Sequence, residues 1–237
     1  MDLTGRRILV TGASSGIGAA TARALDAAGA RVALLARSTS RLEEVAADLT
    51  DAHVAPADVT HPDTLVHAVD AAADALGGLD GLVNAAGVAF TGGVTDGDPD
   101  DWRTTYEVNV LGLLAVTRVV LPHLQREDLA DVVNVSSMSG RRVASPEMAI
   151  YAGSKHAVHA ISQGMALELA DGPVRTTVLA PGYVDTPIFE GVDDEYRART
   201  STWGLPPESV AAQVVHVVGQ PAEVRLVEVA LVSTAQG

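Results

Sequence analysis

Arg6-Arg-Ile-Leu-Val-Thr11-Gly-Ala-Ser-Ser-Gly-Ile-Gly18 decides the fold, because a short β-rich run passes directly into a glycine-spaced turn and then into a helical pattern. That is the context a phosphate-binding loop requires. Gly12 permits the tight turn, Gly16 lets backbone approach a pyrophosphate and Gly18 allows close packing of the helix, with Ser14, Ser15 and Ile17 completing the loop. The free N–H groups of the first helical turn offer hydrogen bonds to phosphate.

Outward from this unit the same alternation repeats. Residues 6–11, 31–36, 53–57, 79–84, 131–136, 174–180 and 224–232 read as strands. Most are continuous apolar runs, which indicates burial on both faces and hence parallel pairing under helices. Residues 16–28, 41–49, 62–76, 101–126, 151–170 and 207–218 carry helical spacing, several opened by Ser, Thr, Asp or Pro. The expectation is an α/β, doubly wound Rossmann-type fold with a seven-stranded, mostly parallel sheet and helices on both faces. One domain over 1–237 suits the length. The least regular segment, 183–207, is expected to be a substrate-binding lid.

The 47% hydrophobic content with only 3% aromatics fits small-residue helices packed on a Val-rich sheet. A net charge of −14 opposes nucleic acid and anionic membrane as partners, since a negative field repels both. It reflects either a salt-rich cytoplasm or an Arg- and Ala-rich coding bias. No apolar stretch reads as a membrane span, and the N-terminus enters a strand instead of a signal peptide, so a cytoplasmic protein is expected. Cysteine is absent, which removes disulfides, thiol nucleophiles and thiolate metal sites.

Chemistry is first sought at Lys155, the only lysine beside fifteen arginines. An ammonium is a compact point charge that a guanidinium cannot mimic. Tyr151 lies four residues earlier on a predicted helix, so both side chains share one face. A nearby ammonium favours the phenolate and brings the phenol toward general acid–base work.

The remaining candidates sit at predicted strand ends. The second strand ends Leu34-Leu35-Ala36-Arg37-Ser38, without the carboxylate that usually receives the ribose hydroxyls of NAD. Arg37, with Ser14 and Ser38, can instead hold the 2′-phosphate of NADP; otherwise Arg37 is a solvated residue stacking on adenine. Asp58, followed by Val59, meets the adenine edge or caps a turn. Asn84-Ala85-Ala86-Gly87 ends the fourth strand with residues small enough to let backbone lie against a cofactor. Ser137, in Asn134-Val-Ser-Ser-Met-Ser-Gly140, falls at the carboxyl edge, where such folds build sites; a loop cap is the alternative.

Taken in order, Thr11 to Gly18, Asn84 to Gly87, Asn109, Ser137, Tyr151 to Lys155 and Pro181-Gly182 resemble the short-chain dehydrogenase/reductase family, in its shorter single-domain branch. The resemblance covers nearly the whole chain. It implies that Tyr151 exchanges a proton with a carbonyl or alcohol, Ser137 holds the oxygen, and Lys155 tunes Tyr151 and binds the nicotinamide ribose. Asn109 would anchor a water linking the lysine to solvent. Val184 and Thr186 would hold the carboxamide, and hydride would move between nicotinamide and substrate without a metal. Ser137 and Tyr151 are fourteen apart, one more than the family's usual spacing, so the intervening loop is expected to bulge; Ser137 still aligns better than Met138 or Ser139. The C-terminus looks more like that of NADP-dependent members acting on small hydroxy acids or aldehydes than like acyl-reductases.

The resemblance thus implies an oxidoreductase interconverting a carbonyl and an alcohol with NADP(H), or less favourably NAD(H). A redox-sensing regulatory protein and an isomerase or dehydratase with bound NAD(P) are the rivals. Phe90, Thr91, Arg141, Arg142, Val143, Met148, Tyr183, Ile188, Phe189 and Trp203 are expected around a small-molecule substrate. Arg141 or Arg142 could bind a carboxylate, although solvation is the commoner fate of such arginines. His156 and His159 read as helix-surface or interface residues. Apolar faces at Val116, Val119, Val120 and Leu124, and at Val158, Ile161, Met165 and Leu169, together with the resemblance, lead to an expected homotetramer, otherwise a homodimer.

Overall fold

Alternate residues of each central strand enter opposite layers of the core. The structure, a computed structural model, describes residues 1–189 and 203–235. In β1 (Arg7–Thr11), Ile8 and Val10 pack into one apolar cluster while Leu9 joins the other, and β2 (Arg31–Ala36) divides Val32 and Leu34 from Ala33 and Leu35 in the same way. A strand with both faces buried needs helices on both sides, which explains the continuous apolar runs.

The other strands are β3 (Ala52–Pro56), β4 (Gly81–Asn84), β5 (Ala130–Val135), β6 (Val174–Pro181) and β7 (Glu228–Leu231). Their order is β3-β2-β1-β4-β5-β6-β7, and every pairing is parallel. Chain order reverses between β1 and β4. Connections leave the two strands toward opposite faces there, opening a crevice beyond their carboxyl ends.

One layer holds α1 (Gly16–Ala27), α2 (Thr39–Ala46) and α7 (Pro207–Val218), through residues such as Leu25, Leu42 and Val214. The opposite layer holds α3 (Pro62–Leu76) and α5 (Leu113–Leu124) through Leu65, Val69, Val116 and Val120. Helix α6 (Ala149–Glu168) brings Met165 against the same layer. Of the two apolar faces noted in the sequence, Val116, Val120, Leu124 and Leu169 pack in this layer, and Val158 is buried as well.

The single helix expected over 101–126 is three joined pieces. Helix α4 (Pro99–Tyr106) starts earlier, with Asp98 accepting from Asp100 N–H at its cap, then passes through a wider π-helical stretch, Glu107–Gly112, into α5. Such i→i+5 widening cannot be read from apolar spacing, and it marks functional positions often enough to be examined. Pro99–Leu124 is also long enough to cross a membrane and contains an 18-residue window of mean hydropathy 1.4, an apolar stretch that the sequence reading did not pick out. In this fold 44% of its apolar window is buried.

At the amino edge of the sheet, opposite the crevice, charges replace apolar packing. Asp131 accepts from Arg175 Nε and Nη2 at 2.8 and 2.9 Å and from Arg6 Nη2 at 2.9 Å. Asp80 accepts from Arg6 Nε at 2.6 Å and Arg7 Nε at 3.1 Å. Arg175 also donates to the carbonyls of Pro221 and Val224, pinning the segment before β7. Asp131→Ala leaves the buried Arg175 guanidinium without its carboxylate, so a loss of about 3–5 kcal/mol is expected in equilibrium urea unfolding. A loss below about 1 kcal/mol would show the network to be as weak as an exposed ion pair.

Candidate active site

Beyond the carboxyl ends of the strands lies a cleft of about 1210 Å³. It brings together Gly12, Ser14, Ser15, Gly16, Ile17, Gly18, Arg37, Ser38, Asp58, Val59, Ala85, Ala86, Gly87, Ser137, Tyr151, Lys155, Pro181, Gly182, Val184 and Thr186. These positions span most of the chain, and the parallel topology collects them because each follows a strand at the same edge. Two expected residues, Asn84 and Asn109, are not in the lining.

The β1–α1 turn is shaped to let something lie against its backbone. Gly12 has φ +64°, and a Cβ there would stand 2.8 Å from Ala86 Cα. A Cβ on Gly18 would collide with the Gly12 carbonyl. Thr11 fixes the facing wall: its hydroxyl accepts from Ala85 N–H at 3.0 Å and Ala86 N–H at 3.1 Å. Ser15 precedes α1 without a side-chain capping bond, so the first-turn N–H groups retain capacity for an anion.

At the far end of the cleft, Arg37 is joined by Arg41, which the sequence reading did not single out. Its signal was available: it lies four residues beyond Arg37, in the first turn of α2. Ser38 caps α2, accepting from Arg41 N–H at 3.4 Å. Asp58 forms the turn cap that was one of its two readings, accepting from Thr60 N–H at 2.9 Å and Thr60 Oγ1 at 2.8 Å. Burial raises its carboxyl pKa, but those two bonds and the charges of Arg37 and His61 outweigh this and hold it below the ordinary value. Asn84 turns into the core, where its Nδ2 donates to Thr117 Oγ1 and Asn134 Oδ1. It ties β4 to β5 and α5 below the cleft, while Ala85, Ala86 and Gly87 of the same motif line the cleft.

At the other end Lys155 is 4% exposed, and its Nζ donates to the Val135 carbonyl at 3.0 Å. The ammonium lies 5.7 Å from the centre of the Tyr151 ring, as the one-turn spacing requires. Burial pushes its pKa down to about 8. Asn109 sits in the π-helical stretch, 1% exposed, and closes two bonds with one backbone unit: Val88 N–H donates to its Oδ1 and its Nδ2 donates to Val88 O, both at 2.9 Å. It also donates to Ser154 Oγ at 3.1 Å, and Ser154 in turn donates to Tyr151 O. Asn109 thus braces both the Gly87–Val88 wall and the helix bearing Tyr151. Ser154 was not anticipated, although it lies inside the motif.

Ser137 Oγ accepts from Ser139 N–H at 3.0 Å, which leaves its hydroxyl hydrogen free to donate. The loop from Ser137 to Tyr151 contains two short 3₁₀ turns, Met138–Gly140 and Pro146–Met148. His159, expected on a surface or interface, instead packs beneath this loop: its side chain is 12% exposed and a Cβ on Gly140 would lie 2.6 Å from its Cδ2. Burial lowers its pKa despite Glu228 nearby.

Among the substrate-pocket candidates, Phe90, Thr91, Arg142, Met148, Tyr183, Ile188 and Trp203 line the cleft. Tyr183 and Trp203 form a tilted aromatic pair, 5.3 Å between ring centres with their planes at 59°. Arg141 and Val143 do not line it; Arg141 Nε donates to Glu228 Oε1 at 2.8 Å, and Val143 is exposed. Residues 190–202 of the expected lid, and the side chain of Phe189, lie outside the described part of the chain.

Comparison with known proteins agrees with this arrangement. A family model described as short chain dehydrogenase matches residues 6–197. An uncharacterized oxidoreductase of Staphylococcus haemolyticus is 38% identical over 230 residues, covering 96% of this chain and 97% of that protein. A short chain dehydrogenase from Burkholderia cenocepacia, solved in complex with NADP, is 33% identical, covers 98% of each chain and superposes with a TM-score of 0.87. A serine dehydrogenase complexed with NADP+, in its closed form, is 28% identical over 97% of this chain and 96% of that one, with a TM-score of 0.91.

A lysine without neighbours of its kind gives one resonance when the protein is made with lysine labelled with ¹³C at Cε. Its titration midpoint is expected near 8, set by burial. A midpoint above about 10, the ordinary lysine value, would place the ammonium in solvent. Because the folded pKa is depressed below the unfolded one, the unfolded chain binds more protons between the two values. Lys155 therefore costs stability below pH 8, and that cost is relieved as pH rises toward the unfolded lysine value.

Proposed function

Because the chain belongs to the short-chain dehydrogenase family, we propose that this oxidoreductase interconverts a carbonyl and an alcohol with NADP(H), through Tyr151 as general acid and base. The observation that carries the reading is the buried Lys155 ammonium beside Tyr151, in one cleft with Ser137 and a glycine loop free to receive phosphate.

The cleft fits a dinucleotide. The Gly12 turn and the uncapped start of α1 receive the pyrophosphate, while Arg37 and Arg41 supply two guanidinium groups where a 2′-phosphate would lie. Small residues at Ala85, Ala86 and Gly87 would let the wall approach the cofactor closely, and Val184 and Thr186, which line the cleft, would hold the carboxamide. When bound, the nicotinamide supplies or accepts the hydride.

The chain's own residues handle the proton. Ser137 donates its free hydroxyl hydrogen to the substrate oxygen and orients it toward Tyr151. Tyr151 gives its proton to that oxygen in reduction and takes one in oxidation. Lys155 uses one donor on Val135 O, leaving two N–H groups for the ribose hydroxyls, while its charge favours the phenolate during proton transfer. Asn109 holds wall and helix at fixed separation, with Gly87 between it and the ammonium: a Cβ there would stand 3.3 Å from Asn109 Oδ1 and 3.7 Å from Lys155 Nζ.

We further propose one domain, a lid spanning 183–207, a cytoplasmic location and a homotetramer. Assembly is supported by Tyr106, Leu111 and Leu114, large apolar residues left exposed along the α4–α5 stretch. Light scattering should give four times the 24.4 kDa chain mass; a mass of one chain contradicts assembly.

Tyr151→Phe should lower kcat by about 10²- to 10⁴-fold, the usual worth of a positioned acid–base group, with NADPH binding by fluorescence titration unchanged. An intact rate would overturn the assigned mechanism. Arg37→Asp should weaken NADPH about 10- to 100-fold more than NADH, because it removes a charge-assisted phosphate contact. Equal losses for the two would contradict the assigned preference.

A further inference from the structure

Among the described residues seven of the thirteen arginines, Arg141 included, hold carboxylates, and three of the others, Arg37, Arg41 and Arg142, line the cleft. Arg6, Arg7, Arg23, Arg31, Arg103 and Arg175 hold carboxylates. Among the described residues Arg142 makes no ion pair and donates no side-chain hydrogen bond. It lines the cleft at the end that holds Ser137, Tyr151 and Met148, away from Arg37 and Arg41.

Its neighbour explains how it is presented. Arg141 is drawn outward to Glu228 at 2.8 Å on β7, and Arg142 N–H donates to the Met138 carbonyl at 3.3 Å. The first turn after Ser137 is thereby fixed, and the next side chain is left in the cleft. Arg142 is exposed to solvent, and its guanidinium has five donors in a fixed fork that match a carboxylate. A protein of net charge −14 repels anionic metabolites at long range. A cation beside the reacting groups offsets that repulsion where it matters. Glu147 shares this end of the cleft, but it is exposed to solvent, and hydrogen bonding from Ser145 lowers its carboxyl pKa. No ion pair joins it to Arg142 among the described residues.

We propose that Arg142 is a specificity-determining residue that binds a substrate carboxylate, so that the substrates are oxo acids and hydroxy acids and not neutral carbonyl compounds. This rests on the oxidoreductase function proposed above. Arg142 holds the acid end while Ser137 and Tyr151 hold the oxygen to be reduced, and the distance between these anchors selects chain length.

The test measures NADPH oxidation with 2-oxobutanoate, 3-oxobutanoate and 4-oxobutanoate, each beside its methyl ester, and with neutral aldehydes. At least one acid should exceed its ester in kcat/KM by about 10- to 100-fold, the worth of a charge-assisted bidentate contact. Arg142→Gln should erase that ratio by raising KM for the acid while leaving the ester unchanged, and Arg142→Lys should retain part of it. Arg126→Gln removes an equal charge outside the cleft, from another arginine with no side-chain partner among the described residues, and should leave the ratio intact. Thermal melting checks that the variants fold. An acid-to-ester ratio near one, a ratio that survives Arg142→Gln, or turnover confined to neutral aldehydes overturns this assignment and leaves the oxidoreductase reading standing. No oxidation of NADPH with any carbonyl overturns both.

Discussion

A buried ammonium is the constraint around which the carboxyl edge of this protein is built. Lys155 is 4% exposed and donates one of its three N–H groups to a backbone carbonyl, that of Val135 at the end of β5. Depression of its pKa from 10.5 to about 8 corresponds to roughly 3 kcal/mol of unfavourable charge burial at neutral pH. That cost is borne by the rest of the fold, and the return is chemical: a positive charge of fixed position next to a phenol, with little solvent contact to screen it. Gly87 has no side chain to intrude, Asn109 braces the wall, and Ser154 links Asn109 to the backbone of Tyr151. Each of these features is intelligible as support for one point charge.

The two edges of the sheet divide the work. The amino edge carries interlocked Arg6, Arg7, Arg175, Asp80 and Asp131, where the charges satisfy one another. The carboxyl edge carries Arg37, Arg41 and Arg142, whose side chains have no ion-pair partner among the described residues. Paired charges at one edge help to fix the strands, and unpaired charges at the other are available to ligands.

Much of this was legible in the sequence because a parallel α/β fold writes itself in continuous apolar runs and strand-end motifs. The seven strands, the glycine loop and the Tyr151–Lys155 pairing all follow from local patterns, and the topology then collects strand ends into one cleft. What escaped notice depended on longer-range geometry. The π-helical stretch at Glu107–Gly112 leaves apolar spacing undisturbed, so the helix read as continuous. Asn84 stands in a cofactor-wall motif, yet its side chain turns inward because Thr117 and Asn134 offer buried partners from elements far along the chain. His159 looked like a surface residue until the Gly140 turn folded over it. Arg141 and Arg142 were equivalent as neighbours in sequence, and only Glu228 on β7 distinguishes them.

The coupling between ammonium and phenol is open to direct measurement through the pH dependence of alcohol oxidation at saturating NADP+, with wild type and Lys155→Met compared under identical conditions. The expected result is a rate that rises with pH through a limb belonging to the Tyr151 hydroxyl, with that limb moved to higher pH once the ammonium is gone. A limb at the same pH in both proteins would contradict the role assigned to Lys155.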